Sequence, residues 1–467
     1  MVRILGKDSL MSLPVNTNST ALFLSRLFAR LNEEKITYCV LRNYEDLPEK
    51  VGNDVDIWVD KMHWSKFFMI VKELTYTLDY TLDYTPRLTV KGEGDYFLLK
   101  EINDQIEVIH IDCWAYFHWK GMCFIDETVI PENLKRHEKG FYVPAKGIEA
   151  SINLLKDLIY HGKVKDKYKD LIKTYAQQDL EVFKKPLLRP FGFKTTQFIL
   201  KNAKSGNWEA LERNTNKLRV ALLIRCLVNP LSQIIKWYYY VKAQIRRFFI
   251  NPRGMFIVFI GPDGSGKSTT VRRLLESEFA KKLFQKKHYF HGHFPYLPEL
   301  KRIAEICRIK KKEAPSNDIP ENQIKPFSLI RSVVYPVYYG FNYFLGHLFI
   351  WKEKARAGLI VFDRYFFDYF IQKQFENCPR WLLHVISKII PKPDILIYLK
   401  NDPEVIHSRK PELSVGEIER QLEMCDEVTT YSKNSFIIRT SISPEEVVKK
   451  IQQIIIDRIK EKQKVRI

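Results

Sequence analysis

The stretch that most constrains this chain is a glycine-rich segment in its second half, Gly261-Pro262-Asp263-Gly264-Ser265-Gly266-Lys267-Ser268. It matches G-x-x-x-x-G-K-[ST], the pattern of a phosphate-binding loop. The apolar run Met255–Ile260 precedes it and predicts a buried strand. Val271, Leu274 and Leu275 follow at the spacing of a helix that faces a core. The order of strand, glycine loop and helix is the context that the pattern requires.

This loop predicts binding of ATP together with Mg²⁺. Glycines let backbone amides turn inward around an anion, and the following helix directs its positive end to the same place. Lys267 can reach the β- and γ-phosphates, and Ser268 can bind Mg²⁺. The predicted ATP-binding residues are Gly261, Gly264, Ser265, Gly266, Lys267, Ser268 and Thr269.

Length and charge narrow the class of protein. The chain has 467 residues, enough for two or three domains. Its net charge of +20 favours anionic partners, but no zinc-finger or RNP-type motif is present, so no specific nucleic acid is expected. The seven scattered cysteines form no C-x-x-C pair, and the start of the chain lacks the apolar core of a signal peptide. These features predict a cytoplasmic protein.

Two apolar stretches bear on membrane contact. Ser332–Trp351 contains no Lys, Arg, Asp or Glu over about twenty residues, the length of a membrane span. Because it also contains Pro336, Gly340 and His347, it predicts a buried core helix, with a membrane-skimming face as the alternative. Leu218–Phe249 is basic, aromatic and amphipathic, and predicts either a packing helix between domains or a helix lying on an anionic membrane surface.

Acidic residues alternate with apolar ones in the segment Asp54-Val55-Asp56-Ile57-Trp58-Val59. Residues i and i+2 of a strand share a face, so Asp54 and Asp56 are predicted to project together. A second predicted strand, Ile106–Asp112, places a third acid, Asp112, at its end. Three such carboxylates can bind a divalent cation against a nucleoside triphosphate. Asp54, Asp56 and Asp112 are therefore a predicted metal site.

These acids resemble the active site of the nucleotidyltransferase superfamily, which has D-x-D on one strand and a third acid on a neighbour. The chain looks especially like nucleotidyltransferase-like proteins with a VLRxYEDLPxxxGxDxDxxV segment, over about residues 20 to 130. The superfamily's Gly-Ser pair, which cradles the triphosphate, is replaced by Leu41-Arg42-Asn43. The resemblance implies nucleotidyl transfer, with a non-catalytic binding platform as the alternative.

A short internal repeat lies between the two acidic strands. The unit Tyr-Thr-Leu-Asp occurs twice in succession within Tyr76–Tyr84. Its alternation and its Tyr and Thr content predict a strand over these residues.

The second half contains further residues that could take part in binding or catalysis. Leu359–Asp363 predicts a buried parallel strand that ends in an acid. Ligands in such folds bind at the carboxyl ends of strands, so Asp363 is predicted near the metal of the glycine loop. Arg364 can clamp an acceptor phosphate or a sugar oxyanion. Pro393–Leu399 predicts another core strand, and Arg409–Ser414 predicts a basic closing flap, with solvated surface charge as the alternative.

Together these motifs resemble the thymidylate kinase family over about residues 255 to 460: G-x-D-G-x-G-K-S-T, D-R-Y, P-D-x-x-I-Y-L and a short basic lid. They look most like the thymidylate-kinase-like proteins with an RKxELS lid that occur among polysaccharide genes. His293-Phe294-Pro295 stands where thymidylate kinases have Arg-Glu-Pro. The resemblance therefore implies ATP-dependent phosphoryl transfer without fixing the acceptor as dTMP.

The same resemblance implies a role for each matching residue. Asp263 would face the acceptor and Arg364 would hold it. Lys267 and Arg409 would stabilise the moving phosphoryl group, while Ser268 and Asp363 would bind Mg²⁺. The predicted catalytic residues are Lys267, Asp363, Arg364, Arg409 and Asp263.

The predicted organisation has three parts. A nucleotidyltransferase-like α+β domain spans residues 1–140, a helical connector 141–250, and a thymidylate kinase-like α/β P-loop domain with a parallel sheet flanked by helices 251–467. Three functions are open. The first is phosphorylation of a nucleoside monophosphate or related acceptor by MgATP. The second is a bifunctional kinase and nucleotidyltransferase that acts on a sugar, polyol or glycan in surface-polysaccharide synthesis. The third is a non-catalytic ATP-binding module at a membrane or anionic polymer. The expected partners are ATP, a phosphate-accepting small molecule or glycan, a peripheral membrane contact and a second copy of the chain.

Overall fold

The chain forms two compact units. The computed structural model describes residues 18–87, 93–103, 105–228, 230–250, 252–300, 302 and 325–466. Within these, the first unit draws on residues 1–100 and 107–244, and the second on residues 101–106 and 245–467. The predicted division of the front part at residue 140 stays a prediction.

A mixed sheet and a layer of helices make up the first unit. Its strands are β1 (Tyr38–Val40), β2 (Val55–Val59), β3 (Thr81–Pro86), β4 (Gly94–Ile102), β5 (Gln105–Trp114), β6 (His118–Trp119), β7 (Met122–Cys123), β8 (Leu134–Arg136) and β9 (Tyr142–Pro144). The main sheet has the order β1-β2-β5-β4-β3. β2 runs parallel to β5 and antiparallel to β1, so the acid-bearing strands β2 and β5 are neighbours at its centre.

Two apolar cores hold the first unit together. Its helices are α1 (Ser19–Glu33), α2 (Trp64–Thr77), α3 (Lys146–Lys156), α4 (Asp166–Gln178), α5 (Leu180–Ser205), α6 (Trp208–Arg213), α7 (Thr215–Val228) and α8 (Pro230–Ile245). One core packs α1 and α2 on the sheet through residues such as Leu27, Phe67 and Tyr96. The other surrounds α3 and includes Leu154 and Phe183. Burial of these apolar surfaces is the dominant stabilising term.

The repeat at residues 76–84 differs from its prediction. Tyr76 and Thr77 of the first unit end helix α2, and Leu78 and Asp79 form the turn that follows. In the second unit Thr81, Leu82 and Asp83 begin strand β3. Asp79 takes a left-handed φ of 57° and separates the two. The start of the first copy is helical because the inward face of α2, which includes Phe67 and Val71, continues to Thr75 and is buried. Tertiary burial therefore overrides an identical local propensity.

A fully parallel sheet forms the centre of the second unit. Its strands are β10 (Met255–Ile260), β11 (Lys286–His291), β12 (Gly358–Asp363), β13 (Ile395–Lys400) and β14 (Ser435–Arg439). The order is β11-β12-β10-β13-β14, and all four pairings are parallel. β10 and β12 are buried along their whole length, as their unbroken apolar runs predict. The unit is thus an α/β fold with β10 in the middle.

Helices flank this sheet, and one of them contains the uncharged stretch Ser332–Trp351 of the sequence. They are α9 (Lys267–Glu276), α10 (Glu278–Leu283), α11 (Leu329–Ala355), α12 (Asp368–Ile371), α13 (Arg380–Ile389), α14 (Pro403–Arg409), α15 (Val415–Thr429) and α16 (Pro444–Arg466). α11 contains Ser332–Trp351 and is only half buried: Tyr343 and Ile350 pack inward, while Phe341 and Leu348 are exposed. Among the described residues, no helix is both long and apolar enough to cross a bilayer.

Candidate active site

The glycine loop, residues 261–268, joins β10 to α9 at the carboxyl edge of the parallel sheet. Gly261 has a φ of 144°, and a Cβ there would lie 2.7 Å from the Leu399 carbonyl oxygen and 2.8 Å from the Ser265 hydroxyl. Gly266 also has a positive φ, of 93°, but a Cβ there would meet no atom within 4 Å. The loop is therefore closed toward the protein and open toward solvent, which leaves room for an anion over its amides.

Lys267 is the first residue of α9, and its ammonium group folds back over the loop. Its Nζ donates hydrogen bonds to the carbonyl oxygens of Gly261 at 2.7 Å and Pro262 at 2.9 Å. It also lies 3.4 Å from Asp263 Oδ1. The side chain is buried, so this positive charge is held at one place beside the open loop.

Ser268 and Asp363 meet as the sequence predicts for a metal-binding pair. The Ser268 hydroxyl donates to Asp363 Oδ2 at 2.6 Å, and the Tyr289 hydroxyl donates to the same oxygen at 3.4 Å. Asp363 Oδ1 and the Ser265 hydroxyl are buried and have no hydrogen-bond partner among the described residues. A buried carboxylate oxygen without a partner, next to a hydroxyl, fits the oxygen ligands that Mg²⁺ prefers.

Asp263 and Arg364 form an ion pair across the site. The Arg364 guanidinium donates to Asp263 Oδ2, and Lys410 Nζ lies 3.3 Å from the same oxygen. Burial alone would raise the pKa of the Asp263 carboxyl, but Lys267, Arg364 and Lys410 together hold it well below its usual range. Asp263 is therefore a carboxylate at any physiological pH.

The glycine loop opens on a cavity of about 680 Å³. Of the predicted ATP-binding residues, those that line it are Gly264, Gly266, Lys267, Ser268 and Thr269. Arg409 and Lys410 also line it, and Arg409 donates to the Thr440 carbonyl oxygen at 3.2 Å. The cations and the amides of this cavity suit a polyanion of triphosphate size.

A second cavity, of about 200 Å³, is also lined by the Asp263–Arg364 pair. Its lining residues are Gly261, Asp263, Arg364, Asp368, Ile371, Gln372, Lys373, Gln374, Leu413, Ser414, Glu417 and Gln421. Burial raises the pKa of Asp368 to about 6, with Arg364 opposing the rise. Asp263 and Arg364 line both cavities, so the two spaces meet at this ion pair.

Several of these residues were missed by sequence reasoning. Asp368 lies four residues after Arg364 and 3.9 Å from its Nε, a helical spacing that could have suggested the contact. Glu417 and Gln421 are four residues apart on α15 and are hydrogen-bonded at 3.1 Å. Nothing local in the sequence links α15 to the Asp-Arg-Tyr segment, because that proximity depends on the packing of α12 against α15.

The three acids of the first unit also converge. Asp54, Asp56 and Asp112 each offer a carboxylate oxygen, and these oxygens lie within 4.8 Å of one another. Asp56 and Asp112 are direct partners across the parallel strands β2 and β5, whereas Asp54 lies just before β2 begins. Burial and the two neighbouring carboxylates raise the pKa of Asp54. The sequence therefore anticipated the cluster, although not the position of Asp54 outside the strand.

Cations of the chain itself neutralise this cluster. Asp56 accepts hydrogen bonds from Arg42 Nε at 2.5 Å and from Lys156 Nζ at 2.8 Å, and Asp112 pairs with Arg87. Burial would raise the pKa of Asp56, but Lys156 and Arg42 hold it well below its usual range. Arg42 belongs to the Leu41-Arg42-Asn43 segment. In this arrangement Asp56 and Asp112 are already paired with cations of the chain, and the metal site stays a prediction.

Comparison with known proteins gives a partial likeness. No family model and no curated protein matches the chain. A thymidylate kinase from Candida albicans is 20% identical, with a TM-score of 0.32, and the match covers 44% of this chain and 93% of that one. A thymidylate kinase from Ehrlichia chaffeensis is 15% identical, with a TM-score of 0.28, over 44% of this chain and 100% of that one.

Proposed function

We propose that the second unit transfers the γ-phosphoryl group of MgATP to a small acceptor. The observation that carries the proposal is the meeting of two cavities at one ion pair, Asp263–Arg364. Lys267 and the Ser268–Asp363 pair stand on the donor side of this point. A kinase needs this arrangement, because donor and acceptor must approach in line while cations offset the charge between them.

On the donor side, the chain supplies the contacts for a triphosphate. The open backbone of the glycine loop would bind phosphate oxygens, and Lys267 would exchange its carbonyl partners for them. Ser268 and Asp363 would hold Mg²⁺, which offsets negative charge on the phosphates. Arg409 and Lys410, which line the same cavity, would close over the phosphates and exclude water.

On the acceptor side, the lining favours a polyhydroxylated molecule over a nucleoside monophosphate. Three carboxyl groups, of Asp263, Asp368 and Glu417, face the cavity. Three amides join them, on Gln372, Gln374 and Gln421. Carboxylates and amides accept hydrogen bonds from sugar or polyol hydroxyls, whereas carboxylates repel a phosphate dianion. The three carboxyl groups outnumber the two cations of the lining, Arg364 and Lys373. Of the described residues that line the cavity, none has an aromatic ring on which a base could stack.

Asp368 supplies a further argument for a hydroxyl acceptor. An attacking hydroxyl must lose a proton, whereas the phosphate of a nucleotide is already anionic at neutral pH. With a pKa of about 6, Asp368 is ionised at neutral pH and still basic enough to take that proton. In the proposal Asp368 is the base, Arg364 orients the acceptor, and Lys267 neutralises the moving group.

The experiment is an acceptor screen that measures ADP formation by the full chain. The panel holds dTMP, other nucleoside monophosphates, monosaccharides, polyols and glycans, and ³¹P NMR identifies the product. We expect a phosphomonoester from a hydroxyl acceptor. A phosphoanhydride from a nucleoside monophosphate would overturn the acceptor class but not phosphoryl transfer. No binding of ATP by calorimetry would overturn the proposal as a whole.

Asp368→Asn sharpens this test. With the active acceptor, we expect kcat to fall about a hundredfold or more, the effect of removing a general base, while the KM for ATP is unchanged. Asp426→Asn is the matched control, because Asp426 is a partly exposed carboxylate of the same unit that pairs with Lys400. An unchanged kcat in Asp368→Asn would remove Asp368 as the base.

A second candidate function belongs to the first unit. We propose nucleotidyl transfer onto the phosphorylated product, supported by the convergence of Asp54, Asp56 and Asp112. The rival is a binding platform without catalysis, which is favoured by the ion pairs of Arg42 and Lys156 with Asp56. Pyrophosphate release distinguishes the two.

A further inference from the structure

Helices α7 and α8 of the first unit have an unusual composition. Between Thr215 and Gln244 the chain contains no Asp or Glu. The cations in this stretch are Lys217, Arg219, Arg225, Lys236 and Lys242. Across the whole chain Lys and Arg number 75 and Asp and Glu 55, so acids are otherwise common. The two helices therefore carry a local positive charge without internal neutralisation.

One face of α8 is fixed to the protein. Gln233 Nε2 donates to the Gly121 carbonyl oxygen at 2.9 Å, and Gln233 is buried. A Cβ on Gly121 would come within 3.0 Å of Trp237 and 3.3 Å of Tyr240. Residues 233, 237 and 240 share one side of a helix. This side therefore packs on the β6–β7 hairpin and sets the direction in which the other side points.

The other side of α8 is apolar and exposed. Leu231, Ile234, Ile235, Tyr238 and Val241 repeat at helical spacing, with exposed fractions from 52% at Val241 to 78% at Leu231. Lys242 is exposed on the same side, with its ammonium group over the Tyr238 ring at 5.8 Å from the centroid. These apolar side chains are held outward by the anchoring of the opposite side, so the exposure is a property of the packed helix.

Helix α7 continues the pattern. Leu218 and Leu222 are buried against the first unit, while Val220, Ile224, Leu227 and Val228 are more than half exposed. We name the exposed apolar residues of both helices, together with Lys217 and Lys242, the α7–α8 face. Nine exposed apolar side chains on two consecutive helices mark an interaction site.

We propose that the α7–α8 face binds the surface of an anionic lipid bilayer, with both helices lying in the interface. Exposed apolar residues together with exposed lysines, here Lys217 and Lys242, are the pattern of an interfacial helix. Charge decides the partner: a second copy of this face would oppose cations with cations, whereas anionic headgroups would complement them. This inference is independent of the kinase proposal.

Flotation of the full chain with vesicles tests the idea. The vesicles are phosphatidylcholine alone, or an equimolar mixture of phosphatidylcholine and phosphatidylglycerol, at low and at moderate salt. We expect binding to the anionic vesicles, weaker binding as salt rises, and little binding to phosphatidylcholine. Absence of the chain from the floated anionic fraction at low salt would overturn the proposal.

Substitutions on the α7–α8 face test whether this face is the part of the protein that binds vesicles. Leu231→Gln/Ile234→Gln/Tyr238→Gln should weaken binding at least about tenfold, because three side chains no longer enter the interface. Lys217→Gln/Lys242→Gln should weaken it about fivefold for each cation, from about 1 kcal/mol per charge. Met69→Gln, an equally exposed apolar residue on α2, is the matched control and should bind like the parent.

Misfolding of a variant, binding through another surface and dimerisation of the chain give different results. Circular dichroism shows whether the triple variant folds, and the lysine variant tests the same face without removing apolar contacts. Unchanged binding in both variants would overturn the assignment of the surface. Concentration-dependent dimers that the triple variant abolishes, without vesicle binding by the parent, would assign the face to a second copy of the chain instead.

Discussion

The hydroxyl of Ser268 donates a hydrogen bond of 2.6 Å to the carboxylate of Asp363, which lies 95 residues further along the chain. Phe259 on β10 and Asp363 on β12 are register partners in the parallel sheet, so the glycine loop begins beside the acid that closes the next strand. The carboxyl ends of these two strands meet at the position where such folds bind ligands. Both halves of the predicted metal-binding pair are therefore positioned by the sheet itself.

Lys267→Ala should abolish ATP turnover by the second unit. The ammonium group is buried over the glycine loop, where it donates to the Gly261 carbonyl oxygen, so its charge is held at one point. Loss of a preorganised group of this kind costs about a hundredfold or more in kcat. Steady-state ADP release measures the effect. Lys281→Ala, at an exposed lysine that pairs with Glu278, should be silent. Full turnover in Lys267→Ala would refute the kinase assignment.

Asp363→Asn should raise the Mg²⁺ requirement. The substitution keeps the volume of the side chain but replaces one carboxylate oxygen by an amide, which is a poor ligand for a hard cation. We expect the Mg²⁺ concentration for half-maximal ADP release to rise about tenfold or more. Asp457→Asn, on the exposed side of α16, is the control. An identical Mg²⁺ titration for Asp363→Asn and its parent would exclude Asp363 as a ligand.

The sequence predicted the parts of the second unit that depend on short segments. The glycine loop, strand β12 with Asp363, and the Arg364 that follows are adjacent in sequence to apolar strands, so their location follows from periodicity and strand order. The four-residue spacing of Arg364 and Asp368 could have suggested their contact. Glu417 and Gln421 could not be found in this way, because their proximity to this segment arises from the packing of α12 on α15.

In the first unit, too, features of short segments were predictable from the sequence, whereas contacts between distant residues were not. The acids of β2 and β5 were recognisable from their alternation, but their neutralisation by Arg42, Lys156 and Arg87 involves residues up to 100 positions away. The two Tyr-Thr-Leu-Asp units make the point more sharply. The first copy ends a helix and enters a turn, whereas the second begins strand β3, because burial of the helix face and the left-handed turn at Asp79 decide between them.

Asp54→Asn/Asp56→Asn tests whether the first unit is catalytic. If it transfers nucleotidyl groups, the parent should release pyrophosphate from a nucleoside triphosphate in the presence of the phosphorylated product, and the double variant should lose at least about a hundredfold of that rate. ADP formation by the second unit should not change. Equal pyrophosphate release by parent and variant would end the coupled proposal in favour of a binding platform.

Asp394 provides a pH-dependent test of the second unit's stability. Its carboxylate accepts a hydrogen bond from the Phe256 amide at 2.9 Å and lies 2.7 Å from Lys354 Nζ and 3.3 Å from Lys462 Nζ. Burial would raise its pKa, but Lys462 and Lys354 lower it to about 2, from 3.8 for an unperturbed Asp. The charged carboxylate thus links the start of β10 to α11 and α16.

The sign of the effect follows from this depressed pKa. The unfolded chain binds the proton more readily, so the contribution of Asp394 to the free energy of unfolding is complete above about pH 4 and is lost as the pH falls toward 2. Its size is about 2 kcal/mol, from the difference between the two pKa values. Urea unfolding of Asp394→Asn and its parent measures it. The difference in unfolding free energy between them should shrink by about that amount between pH 6 and pH 2, whereas Asp457→Asn should show no such trend. A constant difference across this range would mean that Asp394 is not held ionised by its two lysines.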